Sequence, residues 1–395
     1  MTMKTENDNK NLNVPNLRFP EFSGEWDRIK VSDLLEFYTT NSLSWDQLDY
    51  SDVGIFNLHY GLIHKGLPTQ VDVSENILPT IKEEFVPKKM SLCQNGDIAF
   101  ADASEDTNDV AKCIELSNCE NKKIVCGLHC IHGRDIQNKT VIGYKGYAFS
   151  ALSFRNQIRR LAQGTKIYSI SSGNFSECHI GIPSKTEQNK IGKLLLVVDK
   201  RITTQIKIIE KLESLIKGLC QKLFRFKEYT TYFLGDICSI TTGKLDANAM
   251  VENGKYPFFT CAEEVFNIAN YAFDTEALLI SGNGANLGYI HYYNGKFNAY
   301  QRTYVLDKFT IDINYIRLYL ETFLKNRIEQ EKNIGNTPYI VLGTLSKMKI
   351  KVPNILTQQK IVKTLTSLKD KLSNEKLTLE KYKEQKWYLL SNLFI

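Results

Sequence analysis

Residues 180–224 read IGIPSKTEQNKIGKLLLVVDKRITTQIKIIEKLESLIKGLCQKLF, and residues 350–394 read IKVPNILTQQKIVKTLTSLKDKLSNEKLTLEKYKEQKWYLLSNLF. The two stretches align without a gap at a constant offset of 170 residues: Ile180, Pro183, Gln188, Ile191, Leu195, Glu210, Leu219, Leu223 and Phe224 return as Ile350, Pro353, Gln358, Ile361, Leu365, Glu380, Leu389, Leu393 and Phe394. A fainter echo links Arg18-Phe19-Pro20-Glu21-Phe22 with Arg225-Phe226-Lys227-Glu228-Tyr229. What lies between the copies is dissimilar. The chain therefore divides into two halves, each a variable body followed by a repeated tail. Such a plan suggests a protein that reads two different things at once.

Each tail has the spacing of a long helix. Ile191, Leu195, Val198, Ile202, Gln205, Ile209, Leu212, Ile216, Leu219 and Leu223 alternate by fours and threes, the seam of a coiled coil. The second copy keeps the register with Ile361, Leu365, Leu368, Leu372, Glu375, Leu379, Tyr382, Lys386, Leu389 and Leu393. Pro183 and Pro353 mark the helix starts, where a fixed φ and a missing N–H cost little. About 38 residues at 1.5 Å each span about 57 Å, too long for one small body to cover. Two such seams in one chain bury each other most simply as an antiparallel pair, meeting near the middle at Gln205 and Glu375. Buried polar groups there would set register. The fold class expected is α+β: two mixed α/β bodies separated by two long helices forming an antiparallel coiled coil. The boundaries are a disordered tail at 1–16, a body at 17–182, a helix at 183–224, a body at 225–352 and a helix at 353–395.

The chain has 395 residues, 43% of them hydrophobic, enough for two cores besides the helices. No run of about 20 apolar residues occurs, which speaks against a membrane span, and the polar start lacks a signal-peptide core. Nine cysteines scattered through apolar segments fit reduced thiols, so a cytoplasmic location is expected. A formal charge of +6 permits nucleic-acid binding without requiring it.

In the first body, Asp97-Ile98-Ala99-Phe100 and Lys123-Ile124-Val125-Cys126 read as strands, and alternation suggests another over Val125 to Ile131. Tyr147 to Leu161 reads as one helix ending near Gly164, with Arg155, Asn156, Arg159 and Arg160 as its basic face, either solvated or contacting phosphate. In the second body, strands are expected at Tyr256 to Phe259 and Ala277 to Ile280, a hairpin over Tyr289 to Phe297 turned on Asn294-Gly295, and a helix from Ile313 to Glu331 closing before Gly335. The loop Ser281 to Gly288, with Asn283 and Asn286, and the following Tyr300-Gln301-Arg302 carry the amide and guanidinium groups that pair with adenine and guanine edges.

Little in the sequence points to catalysis. Gly282, Gly284 and Gly288 make a weak nucleotide-turn match, but a strand follows where a helix N-terminus is needed to hold phosphate. The paired-proline motif of amino-methyltransferases and a phosphate loop are both missing. Cys113, Cys119, Cys126, His129, Cys130 and His132 could be drawn as a zinc site, yet no Cys-x-x-Cys pair occurs, and they read as core cysteines with no metal.

Glu187-Gln188-Asn189-Lys190-Ile191, Val198-Asp199-Lys200-Arg201-Ile202, Lys211-Leu212-Glu213 and Gln221-Lys222-Leu223-Phe224 resemble the central conserved region of the specificity (S) subunits of type I restriction-modification enzymes. The second copy is similar to the family's distal conserved region, departing from it with Thr357 where Glu187 stands and with Lys386 and Trp387 near the helix end. Asp97 to Thr107 and Gly127-Leu128-His129 resemble segments of one class of target recognition domain, which puts Ser104, Asp106 and His129 among the candidate DNA-contacting residues.

The resemblance implies a non-catalytic DNA reader. Each target recognition domain would read one half of a bipartite, asymmetric site in double-stranded DNA. The helices would act as a ruler and dock two methyltransferase (M) subunits, with motor-nuclease (R) subunits joining them. S-adenosylmethionine, ATP and Mg would sit on those partners and not on this chain. Half-sites on one DNA face lie about 34 to 36 Å apart, within reach of a rod of about 57 Å. Two other readings are a coiled-coil adaptor without DNA readout and the reader part of a fused restriction-modification enzyme.

Overall fold

An apolar stripe on a long helix is stable only where something covers it, and in the computed structural model both stripes are buried at their ends, the second being half-buried from Leu368 to Lys386. The structure describes residues 2–3, 13–51, 53–75, 78–331 and 338–395. The long helices run over Lys185–Leu223 and Ile355–Asn392. The chain divides into two units, Met1–Ile206 with Leu377–Ile395, and Lys207–Lys376. Both cuts fall inside a long helix, and the positions 206 and 376 are equivalent in the repeat.

Within the first unit, Ile191, Leu195 and Val198 of the first helix share a core with Leu389, Leu393 and Phe394 of the second, and Lys386 pairs with Asp199 at 2.6 Å. In the second unit, Leu219, Leu223 and Phe224 share a core with Ile361 and Leu365, and Lys376 pairs with Glu213 at 2.7 Å. In each case the start of one helix lies against the end of the other, so the pairing is antiparallel. Leu195 and Leu365 are both fully buried, and Gln205 is buried in its seam position.

The duplication reaches beyond the tails. His179–Ile182 pairs antiparallel with Asp27–Lys30, and Lys349–Val352 pairs antiparallel with Thr230–Phe233. Gln188 and Gln358 donate to the carbonyls of Pro183 (2.8 Å) and Pro353 (2.9 Å), tying each helix start to its own lead-in. Phe394 packs edge-on against Trp26, and Phe224 against Tyr319, with ring centroids 6.4 and 5.3 Å apart. The repeated phenylalanine thus closes one aromatic core in each unit.

The bodies differ. The first holds a five-stranded sheet in the order Glu36–Tyr38, Cys130–Arg134, Ile98–Ala101, Cys113–Ser117, Gln70–Asp72, and a four-stranded sheet in the order Lys123–Cys126, Ile55–Leu58, Thr80–Ile81, Leu48–Asp49. Ile98–Ala101 is buried along its whole length because strands flank it and both its faces are covered: Phe100 packs against Phe149 and Phe175, while Ala99 and Ala101 face the other core. Glu115, fully buried, is held by Lys145 at 3.1 Å and by the Gly143 and Gly146 amides.

The second body holds a six-stranded sheet in the order Ser239–Thr242, Thr303–Asp307, Phe273–Ser281, Ile290–Ala299, Tyr256–Phe259, Phe266–Ile268. Helix Ile313–Glu331 packs on the face carrying Leu278, Ile280 and Leu306. The opposite face buries Phe259, Leu279, Phe297 and Val305.

Three local expectations change. Tyr147 to Leu161 is two helices, Lys145–Ser150 and Leu152–Leu161, because buried Ala151 is extended (φ −67°, ψ 151°) and the bend brings Phe149 and Phe154 together at 4.8 Å. The strand expected over Val125 to Ile131 is broken: Lys123–Cys126 and Cys130–Arg134 are separated by a turn in which His129 takes φ +54°. Asn294-Gly295 makes no turn. It lies inside the ten-residue strand Ile290–Ala299, with Asn294 opposite Glu276 and Gly295 opposite Thr275, and the hairpin turns instead at residues 282–289. Eight cross-strand pairs outweigh one local turn preference. The expected closure of helix Ile313–Glu331 before Gly335, and most of the tail at 1–16, lie outside the described residues.

Arg18 grips Glu187 with two contacts of 2.8 Å, the side chains being 11% and 2% exposed. The equivalent of Glu187 in the second copy is Thr357, and Arg225 is exposed. Arg18→Ala leaves a buried carboxylate unpaired and should cost about 3–5 kcal/mol, whereas Arg225→Ala should change stability by less than about 0.5 kcal/mol. Urea denaturation of the two variants checks the contrast, and equal losses would contradict it.

Candidate nucleic-acid interface

In the first unit the site grows from the end of the central sheet. Cys130 pairs with Ala101, so the residues just beyond that pair, His129 and Asp102, emerge together. Asp102 N–H donates to the His129 carbonyl at 3.0 Å, and the His129 ring Nδ1 lies 3.1 Å from the Asp102 carboxylate. His129 takes a left-handed backbone (φ +54°), and its ring is exposed. Ala103–Ser104 then pairs with Tyr168–Ser169, and Ser104 Oγ accepts the Asp106 N–H at 3.1 Å.

An aromatic run flanks this edge. Tyr60 meets the His129 ring edge-on at 5.3 Å and the His59 ring at 4.7 Å, and Trp45 lies 4.3 Å beyond His59. Burial, and secondarily the nearby His129, lower the pKa of His59. Its neutral Nδ1 accepts the Gly61 N–H at 3.1 Å and so caps helix Tyr60–Lys65. His64 reaches the Ala103 carbonyl at 2.9 Å, and Lys112 donates to the His64 carbonyl at 3.1 Å.

Ser104, Asp106 and His129 are therefore brought together. Arg155 is not part of their exposed edge. Its guanidinium turns inward to the Asn108 carbonyl, and burial lowers its pKa, so it buttresses the 104–109 loop from beneath. Arg159 and Arg160 remain exposed, Arg159 donating to Asn156 Oδ1 at 3.3 Å. Trp45, Tyr60, His64, Asp102 and Lys112 were missed in the sequence. The close spacing of His59, Tyr60 and His64 was the signal available for the aromatic part.

In the second unit four short segments converge. Gly282 N–H donates to the Arg302 carbonyl at 2.9 Å, and Ile340 N–H donates to the Gly282 carbonyl at 3.1 Å. Asn283 bridges Tyr339, and Gly284 N–H donates to the Pro338 carbonyl at 3.0 Å. Tyr300 bridges Leu245, while the Gln301 backbone and side chain donate to the Leu245 carbonyl (2.8 Å) and to Asp246 Oδ1 (2.7 Å). Asn286 closes the loop, its carbonyl accepting the Tyr289 N–H at 3.0 Å. Arg302 is exposed at the meeting point, and Tyr339 stands exposed beside it.

This geometry explains Gly282. A Cβ on Gly282 would sit 2.4 Å from the Arg302 carbonyl, so a close backbone crossing requires glycine there. Each edge thus offers amide, carboxylate, imidazole or guanidinium groups on a rigid sheet, a set suited to hydrogen-bonding base edges. No helix among the described residues is long and apolar enough to cross a membrane.

The chain belongs to a family defined by the type I restriction modification DNA specificity domain, whose profile matches residues 72–214 and again 227–381. Among its relatives, the type I restriction enzyme EcoDI specificity subunit of Escherichia coli is 40% identical over 154 residues, covering 39% of this chain and 34% of that protein. A putative type I specificity subunit of Mycoplasma pneumoniae is 32% identical over 164 residues, covering 40% and 44%. These matches span less than half the length of either relative. The crystal structure of a type I restriction-modification S subunit from M. genitalium shares the fold with a TM-score of 0.62 at 19% identity, over 97% of this chain and 99% of that one.

Gly282→Ala should cost the second unit about 1–3 kcal/mol, the usual range for forcing an atom into occupied space. Gly343→Ala, with nothing near its Cβ, should change stability by less than about 0.5 kcal/mol. Thermal unfolding followed by tyrosine fluorescence compares the two.

Proposed function

We propose that this chain is the sequence-specific DNA-binding subunit of a type I restriction-modification system. Each body reads one half of a bipartite, asymmetric site. The long helices set the spacer and dock two methyltransferase subunits, and motor-nuclease subunits complete the assembly. The chain itself is not an enzyme. S-adenosylmethionine, ATP and Mg belong to the partner subunits.

One observation carries the reading: a duplicated scaffold of strand, lead-in glutamine and long helix presents two unlike sheet edges, both within the stretches matched by the family. Unlike edges imply unlike half-sites, and two copies of the tail give two equivalent docking surfaces for a partner present twice. A coiled-coil adaptor without DNA readout would have no need of the crowded polar crossing at Gly282 and Arg302.

Binding to mixed-sequence duplexes, with the methyltransferase present, should weaken about 10³-fold or more between about 50 and 200 mM salt if some six or more phosphates are contacted. Binding that ignores salt, or none at all, would favour the adaptor.

Arg302→Ala should relax discrimination at one base position by about 1–3 kcal/mol, leaving the other half-site unchanged. Gln301→Ala should act in the same half by releasing Asp246. Sequencing of methylated adenines reads this directly, and changes in both halves or in neither would remove base readout from this edge.

Inserting a heptad after Lys207 with a matching heptad after Leu377 keeps both seams in register and lengthens the helices by about 10 Å, close to 3 base pairs. The methylated motif should keep both half-sequences with a wider gap. Efficient methylation at the original gap would place the spacing in the partner subunits.

A further inference from the structure

The cysteine and histidine residues of the first body mostly disperse. Cys113, Cys119 and Cys130 are buried, and burial pushes the Cys113 and Cys119 thiols up to about 12 and lifts Cys130 above its usual range as well, as expected of inert core cysteines. Two of the group behave differently. Cys126 and His132 meet a third residue, Cys93, and the donor atoms of all three lie within 4.8 Å of one another, each residue buried.

The geometry fits one ion. Cys93 Sγ and Cys126 Sγ are 3.7 Å apart. Two thiolates bound at about 2.3 Å to a tetrahedral zinc lie about 3.8 Å from each other. The third donor is prepared as well. Asp97, itself fully buried, accepts a hydrogen bond from His132 Nε2 at 2.7 Å and is fixed in turn by two 2.7 Å contacts from Arg134. This carboxylate holds the ring with its Nε2 as donor, the arrangement in which the other nitrogen is free to ligate. His132 Nδ1 is buried and has no hydrogen-bond partner among the described residues.

We infer that Cys93, Cys126 and His132 Nδ1 form a binding site for a thiophilic divalent ion of the zinc class, with Asp97 as the orienting carboxylate. Charge balances there: two thiolates offset the ion, and Asp97 offsets Arg134, so no net charge is left in the interior. Binding would release the protons of the two thiols.

The site has a mechanical consequence. Cys126 ends a strand of the four-stranded sheet, His132 lies in the five-stranded sheet, and Cys93 N–H donates to the Ile124 carbonyl at 2.8 Å. One ion would join both sheets and bracket the turn at 127–129 that presents His129. Three protein donors leave a fourth position for a water or another oxygen.

The test uses the full chain and zinc alone. After zinc loading and extensive dialysis, elemental analysis should find about one zinc per chain. Cys93→Ser and Cys126→Ser should each weaken retention about ten-fold or more, and Cys220→Ser should not. Should those variants fail to fold, the unsubstituted chain still decides: zinc must slow alkylation of Cys93 and Cys126 about ten-fold or more, mapped by peptide mass, and leave Cys220 unchanged. Cobalt at the same site should give thiolate-to-metal absorption. Substoichiometric zinc, zinc retention indifferent to both substitutions, unprotected thiols, or a Cys93–Cys126 disulfide in the chain as isolated would each overturn the site.

Discussion

The rest of this structure depends on covering two apolar seams. A helix of 38 or 39 residues with a stripe of isoleucine and leucine is not stable alone in water. Here Ile191 and Leu195 find Leu389 and Leu393, and Ile361 and Leu365 find Leu219 and Leu223, with a body closing over each group. Burial of each such leucine contributes on the order of 1.5–3 kcal/mol, and the charged pairs Asp199–Lys386 and Glu213–Lys376 add direction more than stability. The same scaffold of strand, lead-in glutamine and long helix thus carries two unlike bodies.

Both candidate edges use one physical device. A loop cannot present hydrogen-bonding groups at fixed spacing unless its backbone is tied down. In the first unit the ties are Asp102 to His129, His64 to Ala103 and Arg155 to Asn108. In the second they are Gly282 to Arg302, Gln301 to Asp246 and Asn283 to Tyr339. Residues that face solvent at these edges rest on others whose side chains are turned into the protein, as Arg155 is toward the Asn108 carbonyl. This explains why Arg155, the most buried of the basic candidates, is a poor one.

What the sequence carried by itself was the strongest periodicity: the gapless repeat, the two long helices, helix Ile313–Glu331 and the buried strands near Ile98 and Ala277. A 3.5-residue stripe sustained over about ten turns leaves few alternatives, and a duplicated one needs its twin. The polar, aromatic character of Ser281 to Gly288 and Tyr300 to Arg302 was legible too, since those residue types suit base edges wherever they are placed. Tertiary structure decided what depends on partners distant in the chain. Asn294-Gly295 favours a turn locally, but pairing with Phe273–Ser281 overrode it. Tyr147 to Leu161 has helical periodicity throughout, but the core bent it at Ala151 so that two phenylalanine rings could meet. Cys93 stands 33 residues from Cys126 and 39 from His132, and only the bridge of Leu92 to Val125 and the joining of two sheets set their donor atoms side by side. Local patterns report which face of an element is apolar; they carry no information about which distant side chain that element will bring within reach.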